Sequence, residues 1–503
     1  MRFLGLRRVY QVVFFGLFVF LVLANSVSFI GGYSVEWFLG LDPLIAVSTA
    51  LAAHSLYPTL IWAVPLILLT LVLGRFFCGW ICPMGAMHHF FGWVGRLRRA
   101  PDRVKLNLPH EVYTLKYYML IGMLVAATFG SVQIGLLDPI AFTWRAFATV
   151  LVPAADNVTL GALQGLRHFR FATLIALLFV AALAMNLWIP RLYCRVLCPL
   201  GALLGLLSRF ALFRLQKDAA RCKDCSICGA DCQGAAEPQG VLRVPECMLC
   251  LNCQVGCPRE GIAYKLLPSP DLTTDRLDLT RRRTLTAALG GLLAVPFLRA
   301  SSASEPRPSP KRIRPPGALD EREFLERCLK CGVCMKACPT GGLQPTFAEA
   351  GLEGLWTPIL VPRIGYCESQ CVLCSEVCPT GAIRKLTIAE KVGVAPTREP
   401  VRIGSAFVDR GRCLPWAMDT ACIVCEEVCP TSPKAVYFKV ERSVARDGTE
   451  RILKRPFVDL DRCTGCGICE NHCPVYDEAA IRITSVGETR SAKNRIMLTG
   501  GRV

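Results

Sequence analysis

The sequence is poor in charge and in histidine. Charged residues make up 19% of the 503 residues, and only six residues are histidine. A disordered chain is excluded, because such chains are polar or charged, whereas 52% of these residues are hydrophobic and the mean hydropathy is +0.40. The same composition argues against a purely soluble protein and predicts membrane helices.

Motifs for haem, nucleotides and hydrolysis are also missing. There is no CxxCH motif for a c-type haem and no GxGxxG loop that follows a strand. No Ser/His/Asp set or carboxylate pair indicates hydrolysis. The histidines do not form paired ligands within two apolar segments, which argues against a haem b subunit; they are His54, His88, His89, His110, His168 and His472.

Four long apolar stretches predict a membrane α-helical bundle. Each is long enough to cross roughly 30 Å of hydrocarbon at about 1.5 Å per residue. The alternative, that all of them are buried core helices, fits four runs of this length less well. The stretches are residues 9–30, 58–77, 117–137 and 171–190.

Basic residues predict how these spans are oriented. They precede the first span, separate the second from the third and follow the fourth, while the loop at residues 31–57 has no Lys or Arg. The positive-inside rule then places the N-terminus and the region after span four in the cytoplasm. It also accounts for the net charge of +18 without a nucleic-acid partner. The residues are Arg2, Arg7, Arg8, Arg96, Arg98, Arg99, Arg103, Lys105, Arg191, Arg195, Arg209 and Arg214.

A fifth apolar run, at residues 284–298, follows Arg281-Arg282-Arg283 and resembles a twin-arginine export signal inside the chain. Export of a folded domain suits clusters that are inserted in the cytoplasm. Ser301-Ser302-Ala303 offers a small-residue cleavage site, or the run stays as a fifth helix; a short amphipathic or buried helix is the other alternative. A proline-rich linker follows, with Pro306, Pro308, Pro310, Pro315 and Pro316.

Twenty-four of the 28 cysteines form six closely spaced quartets, most of them CxxCxxCxxxC. A 4Fe–4S cluster needs four converging thiolates: three come from one tight loop, and the fourth, usually before Pro, reaches the neighbouring cluster. The pattern therefore predicts six 4Fe–4S clusters in α+β ferredoxin-like domains, with zinc as the alternative. The quartets are Cys222, Cys225, Cys228 and Cys232; Cys247, Cys250, Cys253 and Cys257; Cys328, Cys331, Cys334 and Cys338; Cys367, Cys371, Cys374 and Cys378; Cys413, Cys422, Cys425 and Cys429; Cys463, Cys466, Cys469 and Cys473.

If quartets one and two exchange their fourth cysteines in this way, they form two cluster sites. One takes Cys257 with the first three cysteines of quartet one, and the other takes Cys232 with those of quartet two, although Gln233 replaces the usual Pro. Among the last four quartets, sequential pairing and nested pairing both fit the spacing. Residues 407–408 and 435–438 predict short strands beside the cysteines.

The remaining four cysteines form two matching CxxxCP motifs, one after span two and one after span four. We expect these thiols to face one another and to act as catalytic redox thiols beside a quinol pocket or to hold a further metal centre. Inert buried thiols are the alternative. His88-His89 follows the first motif and is chemically able to accept protons, although an interfacial pair is the simpler interpretation. The motif cysteines are Cys78, Cys82, Cys194 and Cys198.

The predicted domain order follows from these features. A four-span membrane domain covers residues 1–208 and a two-cluster ferredoxin domain covers residues 209–270. The twin-arginine-like segment and linker take residues 271–317, and a four-cluster ferredoxin domain takes residues 318–503.

Both halves of the chain resemble known families. Residues 1 to about 265, with the CxxxCP motifs and two quartets, resemble the NapH/MauN membrane ferredoxin proteins. Residues from about 280, with the RR segment and the long gap between Cys413 and Cys422, resemble the NapG/MauM family. The chain therefore looks like a fusion of the two. The resemblance implies an inner-membrane quinol dehydrogenase of a respiratory chain, with menaquinol or ubiquinol as donor and a periplasmic cytochrome or reductase, such as the nitrate reductase system, as acceptor.

Two alternatives stay open. An assembly or metal-reduction factor, similar to cytochrome oxidase maturation ferredoxins, explains the chain only to about residue 265, and a scaffold for a larger complex is the other. On the dehydrogenase interpretation, two clusters are cytoplasmic and the last four periplasmic, so roughly 30 Å of hydrocarbon separates them. Quinol, the CxxxCP thiols or a partner subunit is then expected to bridge the two sides.

Overall fold

A computed structural model describes residues 2–25, 37–55, 58–96, 103–159, 167–218, 220–222, 225–266, 273–274, 279–303, 309–347, 349–394, 399–444 and 450–495. These ranges include every cysteine. The predicted linker residues Pro306 and Pro308, Arg98 and Arg99, and the last part of the first predicted span, residues 26–30, lie outside them. The chain divides into two compact units, which are Met1–Ala24, Gly32–Val152 and Phe171–Phe297 for unit 1, and Asn25–Gly31, Pro153–Arg170 and Leu298–Val503 for unit 2.

Helices predominate up to residue 208 and, apart from α16, are short afterwards. In chain order they are α1 Arg2–Ala24, α2 Trp37–Gly40, α3 Pro43–Ala53, α4 Val64–Leu73, α5 Phe76–Trp80, α6 Pro83–Arg96, α7 Arg103–Leu106, α8 Leu115–Thr128, α9 Pro139–Ala146, α10 Val152–Thr159, α11 Ala172–Ala184, α12 Leu192–Val196, α13 Pro199–Ser208, α14 Ile227–Ala230, α15 Asn252–Val255, α16 Arg281–Ala303, α17 Glu321–Arg327, α18 Val333–Ala337, α19 Leu373–Glu376, α20 Ile388–Val392, α21 Leu414–Ala417, α22 Val424–Glu427 and α23 Ile468–Asn471.

The strands form small two-stranded sheets around the cysteine quartets. They are β1 Phe213–Lys217, β2 Leu242–Arg243, β3 Ile262–Leu266, β4 Thr273–Thr274, β5 Leu343–Pro345, β6 Pro358–Leu360, β7 Ser405–Val408, β8 Val436–Val444, β9 Glu450–Val458 and β10 Ile481–Thr484. The predicted strand at residues 407–408 is confirmed as the end of β7, and residues 436–438 of the predicted strand at 435–438 form the start of β8.

Strand pairing closes each pair of quartets into one loop. In unit 1, β1 pairs antiparallel with β3, with Phe213 opposite Leu266, so quartets one and two lie between them. In unit 2, β7 pairs antiparallel with β10 around quartets five and six. Quartets three and four lie between Ala318 and Ile383, which form an isolated antiparallel bridge. Neighbouring quartets along the chain are therefore brought together.

The apolar helices are shorter than the predicted spans. Gly5–Ala24 is the one helical segment in the described ranges that is long and apolar enough to cross a bilayer; Pro43–Ala53, Ile61–Leu73, Ala172–Leu187 and Pro199–Ser208 are shorter. Backbone turns explain the difference, because Gly74 ends α4 at φ +83° and Gly130 follows α8 at φ +80°. The hydrophobic periodicity and the length of an apolar stretch do not show where a residue with positive φ will end a helix.

Asp-Pro pairs begin two of the helices in unit 1. Asp42 accepts hydrogen bonds from the amides of Leu44 and Ile45 at the start of α3, and Asp138 caps α9 in the same way. Proline follows each aspartate at the first helical position, where its missing N–H costs nothing. Both aspartates are fully buried.

Candidate functional site

The eight cysteines of quartets one and two, in unit 1, gather in two groups. Each group surrounds a small cavity, of about 70 Å³ for the first and about 10 Å³ for the second. The first is lined by Cys222, Cys225, Cys228 and Cys257, and the second by Cys232, Cys247, Cys250 and Cys253. The sulfurs thus meet in the exchanged arrangement that the spacing predicts.

In unit 2, quartets three and four share their cysteines. A cavity of about 30 Å³ is lined by Cys338 together with Cys367, Cys371 and Cys374. The remaining four cysteines of these quartets, Cys328, Cys331, Cys334 and Cys378, also lie close together. Burial raises the pKa of Cys334 well above its ordinary value, and the nearby Cys331, Cys328 and Cys378 raise it further. Sequential pairing, one of the two arrangements that the spacing left open, is the one found.

Quartets five and six follow the same rule. Cys473 joins Cys413, Cys422 and Cys425 around a cavity of about 30 Å³. Burial raises the pKa of Cys469, as do Cys466, Cys463 and Cys429 among its neighbours. The long gap in quartet five is taken up by α21, which begins after Cys413.

The donor chemistry of these groups fits iron–sulfur clusters. Burial and neighbouring cysteines raise the pKa of Cys232 and Cys413 to about 11 and that of Cys247 to about 12, so these thiols keep their protons unless a positively charged group replaces them. Across the part of the chain that the structure describes, no three His, Cys, Asp or Glu side chains are spaced to hold a single metal ion.

Backbone and side-chain donors point at several of the sulfurs. The amide of Gly261 lies 3.2 Å from Cys257 Sγ, and that of Ala236 lies 3.2 Å from Cys232 Sγ. In unit 2, Lys391 Nζ lies 3.2 Å from Cys367 Sγ. Such hydrogen bonds tune cluster potentials.

The two CxxxCP motifs come together in unit 1. Burial raises the pKa of Cys82, and the nearby Cys78 and Cys194 raise it further; Cys198 is affected in the same way by Cys194 and Cys78. The four thiols therefore lie close to one another.

Sequence reasoning found that each motif continues with Gly-Ala but missed the arginine that precedes it, so that the full repeat is RxxCxxxCPxGA and starts at Arg75 and again at Arg191. Both arginines are 1% exposed. Arg75 donates to Cys78 Sγ at 3.2 Å, whereas Arg191 donates to the carbonyls of Cys78 and Gly85 in the other copy, at 3.0 and 3.1 Å. The recurrence of Arg three residues before the first cysteine was the available signal.

Two more arginines attach the first ferredoxin loop to the apolar helices. Arg7 donates to the carbonyl of Cys250 at 2.8 Å and to Gln233 Oε1 at 3.2 Å. Arg195 Nη2 donates to the carbonyl of Cys232 at 3.1 Å and to the carbonyl of Gln233 at 3.0 Å. Gln233, where the pattern usually has Pro, thus binds two buried arginines.

A large cavity of about 760 Å³ lies beside this loop, within unit 1. Its wall includes α1 residues such as Val12 and Phe15, the aromatic face of α6, and Cys232. The apolar wall is interrupted by a few polar side chains, which is the usual composition of a small-molecule site.

Three sequence models for iron–sulfur domains match the chain. A 4Fe-4S binding domain matches residues 55–101 and 169–217, which contain the two CxxxCP motifs; a 4Fe-4S dicluster domain matches residues 246–343; and a second 4Fe-4S binding domain matches residues 454–475. No solved structure matches the chain.

Several curated proteins are similar over part of the chain. The methylamine utilization ferredoxin-type protein MauM of Methylorubrum extorquens is 36% identical over 197 residues, which are 39% of this chain and 80% of MauM. The ferredoxin-type protein NapG of Escherichia coli is 34% identical over 202 residues, 40% of this chain and 82% of NapG. The regulatory protein NosR of Pseudomonas aeruginosa is 31% identical over 229 residues, 44% of this chain but only 27% of NosR.

These matches support an iron–sulfur electron-transfer protein with 4Fe–4S domains. They do not show a NapH/MauN-type half, so the fusion is a proposal. Over the part that MauM and NapG match, the chain belongs to the MauM/NapG family of ferredoxin-type proteins.

Proposed function

We propose that this protein is a membrane-bound quinol dehydrogenase. It passes electrons from quinol, through six 4Fe–4S clusters, to a periplasmic acceptor such as a nitrate reductase system. The observation that carries the proposal is the cavity of about 760 Å³, which is mostly apolar and reaches Cys232, a cysteine of the second sulfur group. A hydrophobic two-electron donor is thereby brought next to a one-electron carrier.

The cysteine-bound clusters supply one-electron transfer when they are present. Cys222, Cys225, Cys228 and Cys257 would hold one, and Cys232, Cys247, Cys250 and Cys253 would hold another. Unit 2 would hold four more in sequential pairs. The ligand roles of all 24 quartet cysteines belong to this proposal.

A multi-pass arrangement in the inner membrane is part of the same proposal. Apolar side chains are exposed on α1, α4 and α11, for example Val12 at 71%, Leu68 at 56% and Leu177 at 68%. Such surfaces suit lipid. The first two clusters would then lie on the cytoplasmic side and the last four on the periplasmic side. Protease accessibility of the segment after Pro306 tests this topology; finding it cytoplasmic would refute export.

The CxxxCP thiols are proposed to take part as redox-active groups. Cys78, Cys82, Cys194 and Cys198 face one another next to Arg191, which also lines the cavity.

Anaerobic membranes that contain the protein provide the test. A quinol analogue should reduce the clusters, seen as bleaching near 400 nm, and isolated protein should contain about 24 iron atoms and as much acid-labile sulfide per chain. No reduction by quinol, with full reduction by dithionite, would refute the dehydrogenase role. Loss of an oxidase's metal content on gene deletion, with quinol oxidation intact, would favour the assembly factor.

A further inference from the structure

The hairpin formed by β8 and β9 in unit 2 has one covered face and one open face. Side chains alternate between the two faces along each strand, and the antiparallel register places Val440 opposite Lys454. On the other face, Leu453 is 4% exposed, and the guanidinium of Arg455 lies 4.7 Å from the centre of the Trp416 ring on α21. The face with Val440 and Lys454 is called the open face below.

Three β-branched aliphatic side chains are exposed on the open face. Val440 is 65% exposed, Val444 67% and Ile452 70%. Two basic side chains, both exposed, lie among them: Arg442 is opposite Ile452, and Lys454 is opposite Val440. An exposed apolar patch that is bordered by charge is typical of a surface that binds another protein.

The open face begins at a group of cluster ligands. Pro456 lies on this face opposite Phe438, and it also lines the cavity that Cys473 forms with three cysteines of quartet five. No residue of α22, which carries Cys425, is buried, and the preceding Ile423 is 40% exposed. This cysteine group therefore lies near the surface of unit 2, at the base of the open face.

The hairpin is positively charged. β8 and β9 together carry five basic and two acidic residues, and one of the acidic residues, Glu441, is paired with Arg455 at 2.7 Å. Positive charge favours an anionic partner and speeds its association. A second copy of this chain fits poorly, because a symmetric contact would place two basic faces against each other. An anionic lipid surface has the required charge, but lipid does not accept an electron from the adjacent cysteine group.

We infer that the open face is the docking surface for an acidic one-electron carrier protein, and that electrons leave unit 2 through the cysteine group of Cys473 and quartet five. The inference rests on the electron-transfer part of the proposed function and deepens it by locating the exit. Carboxylates of the carrier pair with Arg442 and Lys454, and its apolar surface packs on Val440 and Ile452. One electron passes to the oxidised carrier in each encounter, and no covalent bond is made or broken.

Two forms of one cytochrome c serve as probes of opposite charge. Succinylation of its lysines replaces positive by negative charges around the same haem. The full chain in lipid nanodiscs is reduced with dithionite, excess reductant is removed, and reduction of the haem is followed by stopped-flow absorbance. At low salt the succinylated form should be reduced at least about tenfold faster than the native form, and added salt should shrink this difference. Equal rates, or a faster native form, would overturn the inference.

Charge reversal then tests the location of the docking surface. Arg442→Glu/Lys454→Glu should lower the second-order rate constant with the succinylated cytochrome about tenfold at low salt. The control is Lys385→Glu/Lys493→Glu, which makes the same change in net charge at exposed positions outside the hairpin. Its rate constant should stay within about twofold of the parent. An equal loss in both variants would mean that net charge, and not the open face, guides the carrier. Cluster absorbance and a thermal melt show that each variant is folded.

Cross-linking locates the contact without electron transfer. A zero-length carbodiimide joins carboxylates of the succinylated cytochrome to lysines in contact with them, and mass spectrometry identifies the peptides. We expect cross-links at Lys454 and not at Lys385; equal labelling of the two would contradict the assigned surface. Val440→Thr/Ile452→Thr keeps the β-branched shape but loses apolar surface, so it should lower the yield at Lys454 about threefold at high salt.

The remaining outcomes separate this inference from its alternatives. If nanodiscs of anionic lipid protect Lys454 from acetylation and nanodiscs of neutral lipid do not, the open face binds lipid and the inference is wrong. If quinol reduces the clusters but Arg442→Glu/Lys454→Glu changes neither rate nor cross-linking, the docking surface is wrong and the dehydrogenase function stands. If quinol fails to reduce the clusters while the variant slows transfer from the dithionite-reduced protein, the dehydrogenase function fails and the docking surface stands.

Discussion

At the scale of single residues, buried arginines carry much of the architecture of unit 1. Arg7 and Arg195 belong to the basic residues that predict the orientation of the spans, yet both are 1% exposed and bind carbonyl groups of the first ferredoxin loop. A basic residue beside an apolar run therefore has two physical interpretations, interfacial charge and buried donor. Sequence alone does not separate them, because the carbonyl partners of Arg7 are distant along the chain, 72 residues away at Gly79 and 243 residues away at Cys250.

Lys391 is a single residue that should set the potential of one cluster. Its Nζ donates to Cys367 Sγ and to the carbonyls of Glu368 and Cys371, both at 2.6 Å. A cation bonded to a cluster thiolate stabilises the reduced, more negative state. Lys391→Met should therefore lower one midpoint potential by ~50 mV in an EPR-monitored redox titration.

Lys391→Arg serves as the control for that titration, since it keeps the positive charge and should shift the same potential by much less. Equal shifts in the two variants, or none in either, would show that Lys391 acts only on the packing of α20.

At the scale of elements, ion pairs hold the start of α17. Glu321 receives Arg314 at 2.6 Å and Arg490 at 2.9 Å, and these contacts outweigh burial and lower the pKa of Glu321 to about 2. A carboxylate with a depressed folded-state pKa contributes stability above its unfolded-state pKa of 4.5. That contribution is lost as the pH falls from about 4.5 towards 2.

The corresponding substitution is Glu321→Gln. It should lower the free energy of unfolding by about 3 kcal/mol at pH 7, because Arg314 and Arg490 lose their charged partner. Guanidinium denaturation should give the same difference between pH 5 and 8 and a smaller one below pH 4.5. A difference that grows with acidity would contradict the assigned sign.

The contact between α8 and α16 depends on a single glycine. A Cβ on Gly291 would lie 2.1 Å from the carbonyl oxygen of Gly122, whereas a Cβ on the adjacent Gly290 would meet nothing within 4 Å. Gly291→Ala should therefore destabilise unit 1 by about 1–3 kcal/mol, measured by thermal unfolding in detergent.

Gly290→Ala is the matched control, and it should be neutral or slightly stabilising, because alanine has the higher helix propensity. If both substitutions lowered the melting temperature alike, close packing of α16 against α8 would not be the cause.

At the scale of the whole molecule, the structure bears on whether the chain is cut after its export-like segment. α16 runs without interruption from Arg281 to Ala303, through Ser301-Ser302-Ala303. Proteases bind extended backbone, so a continuous helix protects this site. We expect one uncleaved chain of 55.2 kDa in purified membranes, by intact mass spectrometry. Two fragments that meet at Ala303 would contradict this.

Cysteine spacing by itself predicted iron–sulfur chemistry, because CxxCxxCxxxC quartets are typical of 4Fe–4S ligands, and it already predicted the exchange of Cys232 and Cys257. Only the tertiary structure decided which of the last four quartets share cysteines. Nested and sequential pairing have the same cysteine spacing, and they differ only in which strands and bridges bring two quartets together. The same holds for the cavity beside Cys232: His88, Arg191 and Val12 are distant in sequence, and packing of α1 and α6 with the turn before α12 brings them together.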